Sequence, residues 1–280
     1  MDVIATIHAL DERLAQAGRV AFVPTMGNLH EGHLQLVRLA RAHGDTVVVS
    51  IFVNPLQFGP NEDYHKYPRT LAEDCAKLTD VGCDVVFAPT VAEMYPTPQQ
   101  TEILPPPVAD ELCGAFRPGH FRGVATVVAK LFNIVQPTVA VFGKKDYQQL
   151  FIIRTMVREL NFPIQIVAGE TVRAEDGLAL SSRNAYLSPA ERAEAPRLYR
   201  TLLGAAEAIG RGDRDFPLIE VNARNELEAH GWRVDYVSVR DTATLAVPGP
   251  QTRQFVVLAA AWLGDTRLID NVEVMPAHAA

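Results

Sequence analysis

Short apolar runs alternate with helix-like patterns along the first two thirds of the chain. A nearly continuous apolar run such as TVVVSIFVN is typical of a strand buried within a parallel sheet. The predicted strands cover residues 19–25, 46–54, 83–89, 138–143 and 163–172. The predicted helices between them cover residues 33–42, 70–82, 124–137 and 147–161. Strands joined by helices imply right-handed crossovers, so the pattern predicts an α/β fold with a doubly wound, Rossmann-like parallel sheet.

The pattern changes after residue 180. Helices are predicted first, and strands that alternate between apolar and polar residues follow them. The predicted helices cover residues 188–212 and 216–230. The predicted strands cover residues 232–241 and, within residues 252–274, one strand before and one after the Gly264–Asp265 turn. We therefore expect two domains: residues 1–180, which carry the parallel sheet, and a smaller C-terminal α+β domain of residues 181–280.

Composition and charge narrow the class of protein. Hydrophobic residues make up 48% of 280 positions, which is ordinary for a globular protein, and the apolar runs are too short to span a bilayer. The N-terminus lacks the features of a signal peptide, so we expect a cytoplasmic protein that does not enter a membrane. The net charge of −7, without a basic run, argues against nucleic-acid binding. The three cysteines are odd in number and fit no zinc-binding spacing, so they are expected to be incidental.

The strand at 19–25 leads into the stretch PTMGNLHEGHLQLV, which contains His30 and His33. Ligands of doubly wound sheets bind beyond the carboxyl ends of the strands, where this stretch is predicted to lie. Gly27 and Gly32 let the backbone approach a phosphate, and the start of the following helix offers free N–H groups. The two imidazoles can donate hydrogen bonds to phosphate oxygens and stabilise charge that develops during phosphoryl or nucleotidyl transfer.

Two other interpretations of the histidine pair remain open. A zinc site would need a third ligand and the i, i+4 spacing of H-E-x-x-H, whereas these histidines are three positions apart and no further His or Cys cluster is present. A hydrogen-bonded pair with a purely structural role is also compatible with the sequence. No residue is assigned as a metal ligand.

The histidine stretch resembles a known signature. His30–Glu31–Gly32–His33 is similar to the HIGH motif of the nucleotidyltransferase superfamily, which includes class I aminoacyl-tRNA synthetases. The whole stretch resembles the pantothenate synthetase (pantoate–β-alanine ligase) family. Four further blocks match that family in order and spacing, at residues 50–70, 116–137, 141–150 and 180–188. HIGH alone is weak evidence, but five blocks together are specific.

The resemblance implies an ATP-dependent condensation of (R)-pantoate with β-alanine to give pantothenate. In its first step the pantoate carboxylate attacks the α-phosphorus of ATP, which gives pantoyl-adenylate and pyrophosphate. In the second step the amine of β-alanine attacks the acyl carbon and AMP leaves. ATP is then a co-substrate, accompanied by Mg²⁺, and the resemblance also implies a homodimer.

The resemblance implies catalytic roles for His30, His33 and Lys145, because the first step places negative charge on the phosphates. The LSSR loop would bind the triphosphate, and Arg183 has the planar guanidinium that suits phosphate oxygens. The residues implied to bind ATP are Met26, Gly27, Asn28, Leu29, His30, Glu31, Gly32, His33, Gly143, Lys144, Lys145, Asp146, Val172, Leu180, Ser181, Ser182 and Arg183.

The resemblance also implies that two neutral amides bind the acid substrate. Gln57 is expected to contact pantoate and β-alanine, and Gln149 to contact pantoate. A neutral amide orients a carboxylate without lowering its nucleophilicity as a cation would. Pro24, Phe52, Val53 and Phe58 are candidates for an apolar wall that contacts the methyl groups of pantoate. Arg117 and Arg122 are candidates for binding the β-alanine carboxylate. Glu73 and Asp74 are candidate contributors to the binding of Mg²⁺.

Two alternative functions are compatible with parts of the sequence. A nucleotidyltransferase acting on a phosphorylated acceptor would need additional basic residues where the chain has Gln57 and Gln149. A non-catalytic adenine-nucleotide-binding module would not need His30, His33 and Lys145 together.

Overall fold

The computed structural model of the chain describes residues 1–60, 62 and 64–274, and it forms two compact units. The first unit comprises Met1–Lys144 and Gln149–Glu170, and the second comprises Lys145–Gln148 and the chain from Thr171 onwards. The second unit therefore begins before the expected boundary at residue 181. The reason is that Arg173 pairs with Ala179 in a short antiparallel bridge, and Leu178 packs into the hydrophobic core of the second unit.

The first unit contains a six-stranded parallel sheet with the strand order β1-β4-β3-β2-β5-β6. Its strands are Asp2–Ile4 (β1), Val20–Thr25 (β2), Thr46–Ile51 (β3), Val85–Phe87 (β4), Val139–Gly143 (β5) and Gln165–Gly169 (β6). Along β2, Phe22 and Val23 enter different core clusters because successive side chains of a strand point to opposite faces. The prediction of a doubly wound parallel sheet is confirmed.

Helices cover both faces of this sheet. They are Ile7–Leu14 (α1), Glu31–Arg41 (α2), Leu71–Asp80 (α3), Val91–Met94 (α4), Cys113–Phe116 (α5), His120–Val135 (α6) and Tyr147–Glu159 (α7). Val37 of α2 and Leu78 of α3 pack in the same cluster as Val23, whereas Phe132 of α6 packs in the cluster of Phe22. Within the described residues, four turns of 3₁₀ helix lie between elements, at Pro55–Gln57, Pro107–Asp110, Lys144–Asp146 and Ser182–Tyr186.

Several element boundaries differ from the predicted ones. The strand β1 was not predicted, because a strand of three residues carries too short a pattern to recognise, and the helices α1, α4 and α5 were not predicted either. The helix α6 begins at His120 rather than at residue 124, directly after Gly119, whose φ of +79° suits glycine and ends the preceding turn. The helix α2 begins at Glu31 rather than at residue 33, since His30 is its N-cap.

The second unit is built from helices and an antiparallel sheet of strand order β7-β8-β9. Its elements are Pro189–Glu194 (α8), Arg197–Gly210 (α9), Phe216–Glu228 (α10), Arg233–Asp241 (β7), Phe255–Leu263 (β8) and Thr266–Glu273 (β9). The single helix predicted over 188–212 is divided in two, because Pro196 lacks an N–H group for an intrahelical hydrogen bond. The α+β character predicted for the C-terminal part is confirmed. Within the described ranges, no helix has both the length and the apolarity required to cross a membrane.

Candidate active site

The two histidines of the HIGH stretch form the N-terminal cap of α2. The Nδ1 atom of His30 accepts a hydrogen bond from the Gly32 N–H group at 3.1 Å. The Nδ1 atom of His33 accepts one from the His30 N–H group at 3.3 Å. The two rings lie with their centroids 4.1 Å apart. The start of α2 therefore fixes both imidazoles relative to each other.

This capping arrangement also determines which ring nitrogen carries the proton. Because Nδ1 of each ring accepts from a backbone N–H group, the neutral ring must carry its hydrogen on Nε2. His30 and His33 are both only partly buried. In this tautomer the hydrogen-bond donor of each ring is Nε2–H, next to the positive end of the α2 dipole. This is the chemistry expected of groups that bind phosphate oxygens.

A buried carboxylate of α3 holds the backbone that precedes the histidines. The two oxygens of Asp74 accept hydrogen bonds from the N–H groups of Asn28 and Leu29, both at 2.8 Å, and Thr70 Oγ1 donates to Oδ2 at 3.1 Å. Lys77 Nζ donates to the Leu29 carbonyl oxygen at 2.8 Å. These bonds link the turn before α2 to α3.

Gly27 begins this turn and cannot be replaced without strain. Its φ of +83° lies in the left-handed region, and a Cβ atom there would lie 2.9 Å from Ile51 Cγ2 and 3.1 Å from Asp74 Oδ2. Asn28 follows with a φ of +51°. The turn that leads to His30 therefore depends on glycine and on Asp74 together.

Replacing Asp74 by alanine is expected to lower both stability and activity. The change removes the Asp74 acceptor from the buried N–H group of Leu29 and from the partly buried one of Asn28, and a buried group left unsatisfied costs about 1–3 kcal/mol. Asp74→Asn keeps one acceptor oxygen and should lose about half as much stability. Thermal unfolding together with steady-state kinetics measures both effects. Asp80→Ala is the matched control, because Asp80 is an exposed aspartate at the end of α3. Equal behaviour of the Asp74 and Asp80 variants would contradict the anchoring role.

The side chain of Gln57 is held by a buried asparagine. Asn54 Nδ2 donates to Gln57 Oε1 and to the Gly123 carbonyl oxygen, both at 3.2 Å. Asn54 Oδ1 accepts from the Leu56 N–H group at 3.3 Å and from Tyr95 Oη at 2.8 Å. Because a carbonyl only accepts and an N–H only donates, the orientation of the Asn54 amide is fixed.

The fixed asparagine in turn orients Gln57. Since Oε1 of Gln57 faces Asn54, its Nε2–H₂ group points the other way, where Met26 Sδ lies 3.2 Å away as a weak acceptor. A Cβ atom on Gly123 would lie 2.1 Å from the Leu56 carbonyl oxygen, so only glycine lets α6 approach this turn. Gln57 thus offers a preoriented neutral donor beside Met26. Gln149, in the first turn of α7, belongs to the same unit and is partly buried.

A cavity of about 270 Å³ lies beside Met26 and Gly27 in the first unit. Its walls include Ile51, Phe52 and Val53, at and beyond the carboxyl end of β3. Two of the four residues expected to form an apolar wall, Phe52 and Val53, therefore line one cavity with Met26. The position agrees with the rule that ligands bind beyond the carboxyl ends of parallel strands.

Lys144 and Lys145 are adjacent in sequence but belong to different units. Gly143 ends β5, and Lys144 Nζ forms an ion pair with Glu170 Oε1 at 2.7 Å, within the first unit. Lys145 Nζ lies 3.7 Å from Asp146 Oδ2, within the second unit.

The loop with the sequence LSSR is part of the second unit. The Leu180 N–H group donates to the Val172 carbonyl oxygen at 2.9 Å, so these two residues are paired at the base of a turn. Ser181 caps the following 3₁₀ helix, since its Oγ accepts from the Arg183 N–H group at 3.3 Å. Ser182 and Arg183 are partly buried. The serine of the motif has the capping role expected of such positions, and the backbone of the loop is ordered by it.

Comparison with known proteins decides the family. The family profile of pantoate-beta-alanine ligase matches residues 2–273. The pantothenate synthetase of Thiobacillus denitrificans is 59% identical over 278 residues, which cover 99% of this chain and 98% of that protein. The enzyme of the same name from Methylobacillus flagellatus is 60% identical over 273 residues, with 98% of both chains covered. The chain belongs to the pantoate–β-alanine ligase family.

Solved structures of the pantoate–β-alanine ligase family have the same fold. The crystal structure of pantothenate synthetase from Thermus thermophilus matches with a TM-score of 0.93 and 49% identity, and covers 99% of this chain and 100% of that one. The pantoate-beta-alanine ligase of Francisella tularensis, complexed with Beta-gamma ATP and Beta-alanine, matches with a TM-score of 0.80 and 33% identity, covering 97% of each chain. The predictions of the family and of a ligase activity are confirmed.

The alternative functions are set aside by the same findings. The match to a ligase family spans residues 2–273. This match argues against a nucleotidyltransferase that acts on a phosphorylated acceptor and against a non-catalytic nucleotide-binding module. For the zinc interpretation, the described part of the chain contains no group of three or more His, Cys, Asp or Glu side chains that could hold a metal ion.

The two arginines considered for the β-alanine carboxylate, Arg117 and Arg122, both lie near acidic side chains of the protein. Arg117 makes hydrogen bonds from Nε and Nη2 to the two oxygens of Glu62, at 2.7 and 2.8 Å. Burial raises the pKa of the Glu62 carboxyl, but the hydrogen bonds and charge of Arg117, together with the Gly59 N–H group and His120, lower that pKa overall. Arg122 lies 3.7 Å from Glu102. Neither arginine is singled out as the partner of a substrate carboxylate.

The cysteines show no sign of a chemical role. Cys83 and Cys113 are buried, Cys75 is partly buried, and all three are free thiols. Burial raises the pKa of the Cys83 thiol to about 12, so this sulfur stays protonated and unreactive at neutral pH.

Sequence reasoning missed Asn54, Tyr95 and Lys77, which hold the candidate site residues in place. Asn54 precedes Pro55, and an asparagine before a proline is a signal for the start of a turn, which could have pointed to it. Tyr95 and Lys77 carry no such local signal, because their partners lie far away in sequence.

Proposed function

We propose that the chain forms pantoyl-adenylate with the help of His30 and His33, and that it then transfers the pantoyl group to β-alanine. The observation that carries this proposal is the pair of imidazoles fixed by backbone hydrogen bonds through Nδ1, which places the hydrogen of each neutral ring on Nε2 at the start of α2. Donors that are oriented before the reaction stabilise developing negative charge without a cost of reorganisation.

In the first step, negative charge builds up on the α-phosphate as the pantoate carboxylate attacks it. His30 and His33 would donate to the phosphate oxygens, and the backbone of residues 26–33 would frame the nucleotide. Lys145, Ser181, Ser182 and Arg183 would bind the remaining phosphates, with Asp146 on the ribose or on Lys145. Gly143, Lys144, Val172 and Leu180 complete the proposed nucleotide contacts. The Francisella tularensis relative, which was crystallised with an ATP form, supports ATP as a co-substrate.

Pantoate is proposed to bind through Gln57 and Gln149. The Nε2–H₂ group of Gln57, oriented by Asn54, can donate to a pantoate or β-alanine oxygen and leaves the attacking carboxylate oxygen without a cationic partner. The methyl groups of pantoate would pack against Met26, Phe52 and Val53, which line the cavity of the first unit.

We propose that Mg²⁺ accompanies ATP and is held mainly by phosphate oxygens and water. Asp74 does not fit the role of a direct ligand, because both of its carboxylate oxygens accept hydrogen bonds from backbone N–H groups. Glu73 is exposed on α3. We therefore derive no step through the metal ion.

We further propose a cytoplasmic homodimer. Free cysteines at positions 75, 83 and 113 are consistent with a reducing compartment. Sedimentation equilibrium of the purified chain tests the dimer, because a molecular mass of one chain across the micromolar range would contradict it.

Gln57→Ala and Gln149→Ala are expected to raise the pantoate requirement by roughly 2- to 150-fold, because each variant loses a neutral hydrogen bond worth about 0.5–1.5 kcal/mol and can leave a buried partner unpaired at about 1–3 kcal/mol. The affinity for ATP should change by less than about threefold. Substrate titration measures both constants. Because both amides are proposed to bind one small molecule, the double variant should be non-additive.

The control for these variants is Gln251→Ala, an exposed glutamine in a loop of the second unit. If Gln57→Ala and Gln149→Ala behave like this control, the proposed pantoate site is wrong.

Half-reaction assays test the proposed function as a whole. Release of pyrophosphate from ATP should require pantoate, and AMP should appear only after β-alanine is added. Pyrophosphate release that is independent of pantoate, or AMP formation without β-alanine, would contradict the order of the two steps.

A further inference from the structure

The turn that carries Lys145 is held by strand β9. Lys145–Gln148 belongs to the second unit, although the chain enters this turn directly from β5 of the first unit. Asn271 Nδ2 donates a hydrogen bond to the Lys145 carbonyl oxygen at 3.0 Å, and Tyr147 Oη donates to Glu273 Oε1 at 2.9 Å. Asn271 and Glu273 are two residues apart in β9 and therefore project from the same face of the strand. The strand thus contacts the turn at two points, Lys145 and Tyr147.

Asn271 is itself fixed by a buried ion pair. Arg173 donates from Nη1 and Nη2 to the two oxygens of Asp270, at 2.6 and 2.9 Å. Asp270 Oδ1 also accepts from the Asn271 N–H group at 2.8 Å, and Arg173 Nη2 donates to the Asn271 carbonyl oxygen at 3.3 Å. The Arg173 guanidinium lies 3.7 Å from the centre of the Tyr199 ring. Both backbone polar groups of Asn271 are therefore engaged by one ion pair, which is stacked on an aromatic ring.

The Asn271 side chain supplies a buried hydrogen-bond donor to the Lys145 carbonyl oxygen. A carbonyl oxygen only accepts, so the amide nitrogen must face Lys145, and neither aspartate nor leucine can replace that donor. Asn271 is 6% exposed, so water has little access to the bond if the amide is removed. The Lys145 side chain extends from this turn, and the position of its ammonium group depends on the position of the turn.

We propose that Asn271 is a positioning residue for Lys145 in the first step of the reaction, with Tyr147 and Glu273 as the second point of attachment. This inference rests on the proposed role of Lys145 in binding the phosphates of ATP. A displacement of a catalytic group by about 1 Å can cost on the order of 10²-fold in rate. Loss of the Asn271 bond should therefore slow adenylate formation while the chemistry of the second step is spared.

A double-mutant cycle between Asn271 and Lys145 tests the proposal. The rate of pantoate-dependent exchange of pyrophosphate into ATP is measured for the wild type, Asn271→Ala, Lys145→Ala and the double variant. In the wild-type background, Asn271→Ala should lower the exchange kcat by roughly 3- to 30-fold, part of the loss that misplacement can cause. In the Lys145→Ala background the same change should alter the rate by less than about twofold, because the group that it positions is absent.

A purely structural role for Asn271 predicts a different result. It would lower the rate by the same factor in both backgrounds, and it would equally slow the reaction of supplied pantoyl-adenylate with β-alanine. That result would overturn the proposal. Asn222→Ala, an exposed asparagine of α10, is the matched control and should behave like the wild type.

Two further comparisons keep the test decisive. If Asn271→Ala does not fold, Tyr147→Phe removes only the hydroxyl that bonds to Glu273, and it should show a smaller loss with the same dependence on Lys145. A wild-type exchange rate in Lys145→Ala would reject the proposed role of the lysine itself. A slow Lys145→Ala combined with Asn271→Ala and Tyr147→Phe variants that match Asn222→Ala would reject the positioning role alone.

Discussion

Replacing His33 by alanine should slow the formation of pantoyl-adenylate by on the order of 10²–10⁴-fold, the range for the loss of one preoriented charge-stabilising group or proton donor. The fold should remain intact, because His33 is only partly buried at the start of α2. Pantoate-dependent release of pyrophosphate, measured with saturating ATP, reports this step directly. His8→Ala on α1 is the matched control, because its side chain is 85% exposed.

A second substitution separates the two roles of His33. In His33→Asn, the side-chain oxygen can take the place of Nδ1 and accept the His30 N–H group, but no group replaces Nε2–H. We expect this variant to unfold at the temperature of the wild type and yet to form the adenylate as slowly as His33→Ala. A His33→Asn variant with a near-normal rate would mean that the histidine only caps the helix.

Lys145→Ala should reduce the first step by on the order of 10²–10³-fold, as expected for removing a cation from developing phosphate charge. Its activity with pre-formed pantoyl-adenylate and β-alanine should be mostly retained. Pyrophosphate has left before this second step, and the remaining phosphate of the adenylate needs no further stabilisation by the lysine. Rapid-quench measurements of both half-reactions give the comparison.

The control for this variant is Lys66→Ala, since Lys66 is an exposed lysine of the first unit. Equal losses in both half-reactions of Lys145→Ala would contradict a specific role on phosphate. A loss in the second half-reaction alone would assign the lysine to acyl transfer instead.

The sheet of the first unit could be predicted because its central strands are apolar on both faces. Val47, Val48 and Val49 of β3 are all fully buried, and this is why the run reads as continuous rather than alternating. The short strand β1 has no such pattern, and the break between α8 and α9 depends on Pro196. The position of the histidine cap could be predicted from Gly27 and Gly32. The change from a continuous apolar run to a helical pattern after residue 25 also indicated it.

The supports of the site could not be predicted in the same way. Asp74 contacts backbone groups 45 and 46 residues earlier, and Asn271 contacts a carbonyl group 126 residues away. Neither contact leaves a periodic or local signal, because each is formed by the packing of distant elements. From the sequence, the carboxylate of Asp74 was therefore a plausible magnesium ligand. Lys145 was expected to belong to the N-terminal domain, because the residues on both sides of it in the sequence do.

The transfer of an isotopic label tests the central claim most directly. If the pantoate carboxylate attacks the α-phosphorus, one of its oxygens bridges the acyl carbon and phosphorus, and it leaves with AMP when the β-alanine amine displaces it. Pantoate labelled with ¹⁸O in its carboxylate should therefore give AMP with one ¹⁸O, unlabelled pyrophosphate, and pantothenate that keeps the other ¹⁸O. Mass spectrometry of the products measures this distribution. Unlabelled AMP, or formation of ADP in place of AMP, would contradict an adenylate formed at this site.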